Sequence, residues 1–251
     1  MRNLDDVVVI ESFRGRREKP SAPTAIVACA ETDRRRFSRL TAPKQGRVSK
    51  AYNARFVDVS FGGRTITVAG PVIGSPQAVL VLEKLVALGS RTIVVLGWCG
   101  SLQSHVRIGD LLLPNAACSE EGTSAHYPVD SADFLPDRIL FSCLREHFEQ
   151  NALAHHIGPV WTTDAPLRET VTKVRAYGEE GFLAVEMEMS ALFRVAAFRD
   201  VRLAGLLVVS DELFTLAWKP GFRDNRFKRA CAAATRTLLN FCANLPPDLL
   251  M

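Results

Sequence analysis

The run Thr92–Leu96 (TIVVL) is apolar throughout and lies between a helical pattern and a glycine-containing turn. A strand without a polar face must be covered on both sides, as a central strand of a parallel sheet is. Two other runs share this character, Thr24–Cys29 (TAIVAC) and Leu203–Val209 (LAGLLVV). Between them lie stretches with helical spacing. In Gln77–Leu88, Val79, Leu82, Leu85 and Val86 fall at that spacing and Gly89 stops the helix. Further helices are expected over Arg34–Leu40, Phe134–Glu149, Arg168–Tyr177, Ser190–Phe198 and Phe227–Ala243. Strands are expected at Leu111–Leu113 and His156–Trp161, with a hairpin of Phe56–Phe61 and Arg64–Ala69 about Gly62-Gly63. Gly46–Ser49 reads as loop, Ser119–Asp130 as a polar insertion and Val7–Ile10 as one short strand. This alternation predicts an α/β fold: a single three-layer domain whose central sheet is largely parallel (mixed), with helices on both faces. The domain is expected over residues 21–251, behind a polar leader of residues 1–20, with no linker or internal repeat.

The composition, 47% hydrophobic and 23% charged, is that of a soluble globular protein able to bury a core. A net charge of +4, spread along the chain, points to neither nucleic acid nor a membrane. Arg14–Lys19 and Arg34-Arg35-Arg36 are local exceptions. Each reads as a solvated face, although either can lend an arginine to a small anionic substrate. Six cysteines show no CxxC pair and His155-His156 lacks a third ligand at a suitable spacing, so no metal is expected. The N-terminus carries acids and only a four-residue apolar run, unlike a signal peptide, and no run approaches the ~20 residues of a membrane helix. A cytoplasmic location is the expectation.

Ligands of open α/β sheets bind outside the carboxyl ends of the strands. Four such ends carry suitable residues: Cys29–Asp33, Gly97–Ser101, Glu186–Glu188 and Ser210–Asp211. Glu186-Met187-Glu188 places two carboxylates around an apolar methionine, a set able to accept hydrogen bonds from sugar hydroxyls. The same acids also suit the first turn of the following helix, where they complement its dipole. Asp211 ends an apolar strand, where partial desolvation raises a carboxyl pKa and suits it to donate a proton. With Ser210 it also reads as a cap. Gly97 and Gly100 let the backbone approach a ligand, or simply relieve crowding at the turn.

The ordered set Ile73-Gly74-Ser75-Pro76, Gly97-Trp98-Cys99-Gly100-Ser101-Leu102, Ile108-Gly109-Asp110, Thr162-Thr163-Asp164, Val185-Glu186-Met187-Glu188 and Val209-Ser210-Asp211 resembles the nucleoside phosphorylase and nucleosidase superfamily. That group includes purine nucleoside phosphorylase, uridine phosphorylase and the methylthioadenosine nucleosidases, and the resemblance runs over residues 24–243. It implies cleavage of the N-glycosidic bond of a nucleoside. It assigns Glu188 to the ribose hydroxyls, Met187 to the sugar face and Asp211 to protonation or hydrogen bonding of a departing purine. Glu186, Gly97, Trp98, Cys99, Gly100, Ser210, Thr163 and Asp164 complete the implied substrate site. No cofactor is implied, only inorganic phosphate as co-substrate. Sharing of sites between subunits implies a homo-oligomer, a dimer or a hexameric ring of dimers.

Several positions depart from the pattern. The phosphate loop reads Ala28-Cys29-Ala30-Glu31-Thr32-Asp33-Arg34, Val95 replaces an arginine, Trp98 replaces a threonine and a partner-donated arginine falls near Tyr52, beside Lys50 and Arg55. Either an arginine such as Arg34, Arg35 or Arg55 rebuilds an anion site, or Glu31 or Asp33 activates water. The expected activity is phosphorolysis. Hydrolysis is the alternative, and a non-catalytic nucleoside-binding protein a further one. The base-stacking aromatic after Thr-Asp is also missing, with Trp98 or Trp161 as replacements, and His126 is a loop histidine within reach of a sugar hydroxyl or simply exposed.

Overall fold

The computed structural model describes residues 8–129 and 134–250. Ten strands join in one sheet. They are β1 (Thr24–Ala28), β2 (Ala42–Ala51), β3 (Ala54–Phe61), β4 (Arg64–Gly70), β5 (Thr92–Ser101), β6 (Leu111–Glu120), β7 (His156–Thr163), β8 (Ala184–Glu186), β9 (Arg202–Glu212) and β10 (Lys219–Pro220). The helices are α1 (Glu31–Leu40), α2 (Ser75–Leu88), α3 (Arg138–Gln150), α4 (Val171–Glu179), α5 (Met189–Phe198) and α6 (Asn225–Ala243). The strand order is β10-β9-β6-β7-β8-β5-β1-β4-β3-β2, and β5 also pairs with β9. That extra pairing closes β5, β9, β6, β7 and β8 into a ring, while β1, β4, β3 and β2 continue outward as an open sheet. Pairing is parallel through β4-β1-β5-β9 and through β6-β7-β8, and antiparallel at the β2-β3-β4 meander and where β8 meets β5.

Apolar strands are used on both faces, as their composition demands. Ala25 and Val27 of β1, Ile93 and Val95 of β5, and Leu203 and Leu207 of β9 pack with Leu82 and Leu85 of α2 and Leu192 and Phe193 of α5. The alternate residues Ile26, Val94, Leu96, Leu206 and Val208 pack with Phe37 of α1, Leu144 and Phe148 of α3 and Leu238 of α6. A smaller cluster of Leu102, Trp161, Val174, Val185 and Leu213 lies beneath α4.

β5 is the seam that creates the cleft. Its first half is flanked by β1 as far as the Ala28–Leu96 pair, and its last residues, Gly100 and Ser101, by β8. Between these partners, Gly97–Cys99 keep β9 on one side only, so the sheet parts at the strand ends.

Several boundaries differ from the sequence expectations. α1 starts at Glu31 rather than Arg34, because Glu31 and Asp33 sit in its first turn and pair with arginines one turn on. α3 starts at Arg138 rather than Phe134, since Pro136 disfavours helix before it and Asp137 caps the first turn by accepting the Leu140 N–H at 2.7 Å. α4 begins at Val171 after a short 3₁₀ turn, Pro166–Arg168. Gly46–Ser49 belongs to β2, whose register shifts between Pro43 and Val48 and so absorbs the irregular stretch. Part of the Val7–Ile10 strand lies outside the described residues, and Val8–Ile10 are irregular and exposed. The leader is tied down further along, where the Lys84 ammonium on α2 donates to Phe13 O and to Glu18 at 2.6 Å. No helix among the described residues is long and apolar enough to cross a membrane.

Candidate active site

A cavity of about 720 Å³ occupies the parting of the sheet. Its lining takes Cys29 and Ala30 after β1, Trp98, Cys99 and Gly100 from β5, Val185–Glu188 around β8, and Ser210 and Asp211 from β9. Glu188, at the N-terminus of α5, and Asp211, on β9, therefore open into one hollow.

The Glu-Met-Glu segment is held from both sides. Gly74, at the N-terminus of α2 with φ +77°, donates its N–H to Glu188 Oε1 at 2.7 Å, and Ser75 Oγ donates to the Met187 carbonyl at 2.9 Å. A left-handed residue is needed at that join, which glycine adopts without a Cβ penalty. Glu186 is fully engaged: one oxygen accepts the Glu188 and Met189 N–H groups at 2.7 and 2.8 Å, and the other accepts the Thr162 hydroxyl. Glu186 thus caps α5, while Glu188 lines the cavity. Burial pushes both carboxyls up, and their mutual repulsion adds to the rise at Glu188, so the pair takes up a proton well above the usual carboxylate range.

Asp211 accepts the Ser210 hydroxyl on Oδ1 at 2.6 Å and the Trp218 indole N–H on Oδ2 at 2.9 Å. Burial raises its pKa and these two hydrogen bonds oppose the rise. Gly100 makes this packing possible, because a Cβ there would lie 3.0 Å from Asp211 Oδ2 and 2.4 Å from Leu213. Gly97 is not a lining residue; its missing Cβ makes room for Leu207 instead.

The expected nucleophile residues lie elsewhere. Glu31 accepts Arg34 at 2.6 and 2.8 Å and Arg35 at 2.8 Å, and the Arg34 and Arg35 guanidiniums hold its carboxyl down at about 2. Asp33 is buried and accepts the Trp98 indole N–H at 2.7 Å and the Arg36 guanidinium. Glu31, Asp33 and Arg34 do not line the cavity, because helical spacing pairs each of them within α1. Only Cys29 and Ala30 of that loop reach it. Among the described residues no lysine, arginine or histidine lines the cavity.

Thr163 and Asp164 are also outside the lining. Thr163 Oγ1 accepts the Ala165 N–H at 3.2 Å and Asp164 accepts the Gly122 N–H at 3.1 Å, so both shape the turn after β7. His126 is exposed and Val95 is buried in the core. Of the two tryptophans expected as stacking partners, Trp98 lines the cavity. Trp161 is fully buried and stacked on Tyr177, with centroids 4.4 Å apart.

The lining residues outside the sequence expectations include Glu169, Trp218 and Phe222. Glu169 accepts no hydrogen bond or ion pair from the described residues, and burial together with the charge of Asp211 raises its pKa to about 7. The signal available in the sequence was an acid five residues beyond Asp164, at the start of a helical pattern. Nothing local relates it to Asp211.

Fold and site define an α/β protein with an acid-lined, small-molecule cleft at its strand ends. The chain belongs to the phosphorylase superfamily, whose family model matches residues 24–243. Among its relatives, a guanosine phosphorylase of Halorubrum lacusprofundi is 30% identical over 63% of this chain and 66% of its own length. A DeoD-type purine nucleoside phosphorylase of Bacillus thuringiensis is 29% identical over 62% of this chain and 67% of its own. The matched segment thus spans about two thirds of these curated relatives. The fold matches a purine nucleoside phosphorylase from Toxoplasma gondii, solved with immucillin-H, at a TM-score of 0.81 and 20% identity, covering 89% of this chain and 91% of that one. A uridine phosphorylase from Vibrio fischeri matches at 0.79 and 22% identity, covering 90% and 93%.

Proposed function

We propose that this protein is a nucleoside phosphorylase that splits the N-glycosidic bond of a purine nucleoside with inorganic phosphate, giving free base and pentose 1-phosphate. The observation that carries this reading is the single cavity shared by Glu188 and Asp211. A nucleoside laid along it puts its sugar hydroxyls against Glu188, whose carboxylate keeps lone pairs to spare beyond the Gly74 bond. Met187 supplies the apolar surface beside the sugar. The base then points to Asp211, which takes up the charge developing on the leaving group as the sugar gains oxocarbenium character. No cofactor enters this chemistry. The names of the relatives, guanosine phosphorylase and purine nucleoside phosphorylase, support phosphate as the nucleophile and a purine as the base.

Glu169 supports a base carrying a ring N–H, since an unpaired carboxylate accepts such a donor. Glu169→Gln is expected to raise KM for inosine or guanosine about tenfold and to change KM for adenosine far less. Steady-state kinetics on the three nucleosides check this, and equal effects on all three remove Glu169 from base selection.

A second reading, hydrolysis by water, is favoured by one observation: four carboxyls and no cationic side chain among the described residues line the cavity. In the phosphorylase reading a second copy of the chain supplies the cation. Lys50 and Arg55 flank the exposed Tyr52, whose carbonyl accepts from Gln77, a lining residue, at 2.8 Å. A homo-oligomer follows from that reading, and native mass spectrometry tests it. Incubation with a nucleoside panel, with and without phosphate, separates the activities. Base released only with phosphate is the expected result. Base in either buffer means a hydrolase, and binding without turnover means a non-catalytic nucleoside-binding protein.

A further inference from the structure

Trp218 is 65% exposed yet carries two specific contacts at the cleft. Its indole N–H donates to Asp211 Oδ2 at 2.9 Å, and its ring lies 6.4 Å from that of Phe222. Phe222 in turn lies 6.0 Å from Trp98, and all three rings line the cavity. They form one aromatic wall whose two indoles each hold an acid, Trp98 holding Asp33 and Trp218 holding Asp211.

The segment bearing Trp218 is fixed rather than merely draped over the cleft. Leu213 N–H bonds to the Ser101 carbonyl at 2.8 Å, and β10 pairs with β9 at Lys219–Glu212 and Pro220–Asp211. Gly221 N–H returns to the Ser210 carbonyl at 2.8 Å, and the Lys219 ammonium reaches Glu212 at 3.0 Å. Glu212 is itself buried and held by Arg107 at 2.9 Å. Trp218 is therefore delivered to Asp211 by the return of the chain onto the strand that carries Asp211.

We propose that Trp218 is a positioning residue for Asp211 and, with Phe222 and Trp98, the wall on which the base stacks. This rests on the nucleoside-cleaving reading above. An indole N–H on one carboxyl oxygen leaves the Asp211 carboxyl a single orientation toward a base lying against the same ring. Such a wall also replaces the aromatic missing after Asp164. Base–aromatic stacking tolerates any purine, so this wall contributes affinity while the acids choose among bases. The groups facing Asp211 are Ser210, Trp218, Cys99 and Glu169.

The test uses the full chain with Trp218→Phe, which keeps a ring and loses the N–H, and Trp218→Ala, which loses both. Trp218→Phe is expected to lower kcat about tenfold with KM within about twofold. Its alkaline limb should move to higher pH, because the lost N–H stabilised the ionised carboxyl. Trp218→Ala should additionally weaken binding of free guanine or hypoxanthine, read by calorimetry, about tenfold. Placed on Asp211→Ala, Trp218→Phe should cost nothing further in kcat, as two residues acting through one carboxyl require. A Trp218→Phe enzyme with the wild-type kcat and pH profile, or a raised kcat as expected of a latch that the base must break, overturns the positioning role. Wild-type base affinity in Trp218→Ala overturns the wall; should that variant not fold, the share of base-induced tryptophan quenching lost in Trp218→Phe decides the same point, no loss overturning it. A wild-type protein inactive on every nucleoside refutes the proposed function and, with it, the positioning role, while the base-binding measurement still decides the wall.

Discussion

Asp211→Asn is expected to lower kcat on purine nucleosides about 100- to 1000-fold, within the range general acids contribute, while KM changes by less than about threefold. An asparagine keeps the acceptor for Trp218 and fills the same space, so the loss reports the proton and not the packing. In the proposed reaction Asp211 donates as the protonated acid. Burial raises its pKa, so the active form persists to higher pH than in an exposed aspartate. In the wild type kcat should hold at low pH and fall as pH rises through that raised value. Asp211→Asn should lack this limb. Wild-type kcat, or an unchanged alkaline limb, takes Asp211 out of the mechanism.

Glu188→Gln is expected to lower kcat/KM about 100-fold, since a charged acceptor to the sugar diol becomes a neutral one. The same change should raise thermal stability. A carboxyl whose folded pKa lies above its unfolded value stabilises the fold only when protonated, and that contribution is lost as pH rises through the folded pKa. Glu188 is such a group, pushed up by burial and by Glu186. Above the titration of the pair its charge is a standing penalty that glutamine removes. Relief of about 1 kcal/mol corresponds to a Tm gain of about 2–4 °C for a chain of this size. The gain should be largest at alkaline pH and vanish near pH 4. In the wild type kcat/KM should fall as pH drops through the pair, because the sugar hydroxyls need the ionised form. A variant that is both inactive and less stable at every pH marks Glu188 as structural.

The two site acids differ in how they were legible. Glu188 is legible as one of two carboxylates spaced around Met187, and Asp211 because it ends an apolar strand, where a buried carboxylate is costly. Glu186 was visible in the same motif, but its role as the cap of α5 appeared only with the Thr162 hydroxyl and two backbone N–H groups around it. Glu31, Asp33 and Arg34 were legible as a charged cluster and misplaced as a nucleophile site. Their i,i+3 spacing, once α1 starts at Glu31, satisfies them locally and turns them from the cavity. Glu169 and Trp218 carried no recognisable local pattern, because what defines them is proximity to Asp211 across the fold.

Strand and helix alternation, the covering of both sheet faces and the strand ends that open to the cavity follow from the sequence by itself, since local hydrophobic periodicity and turn residues encode them. Closure of β5 onto both β8 and β9, the parting at Gly97–Cys99 and the return of Trp218 onto Asp211 were decided by the tertiary structure. Each depends on pairing between segments tens of residues apart or on the return of β10 onto β9, and a side chain's function there is set by which distant backbone leaves it a partner or a space.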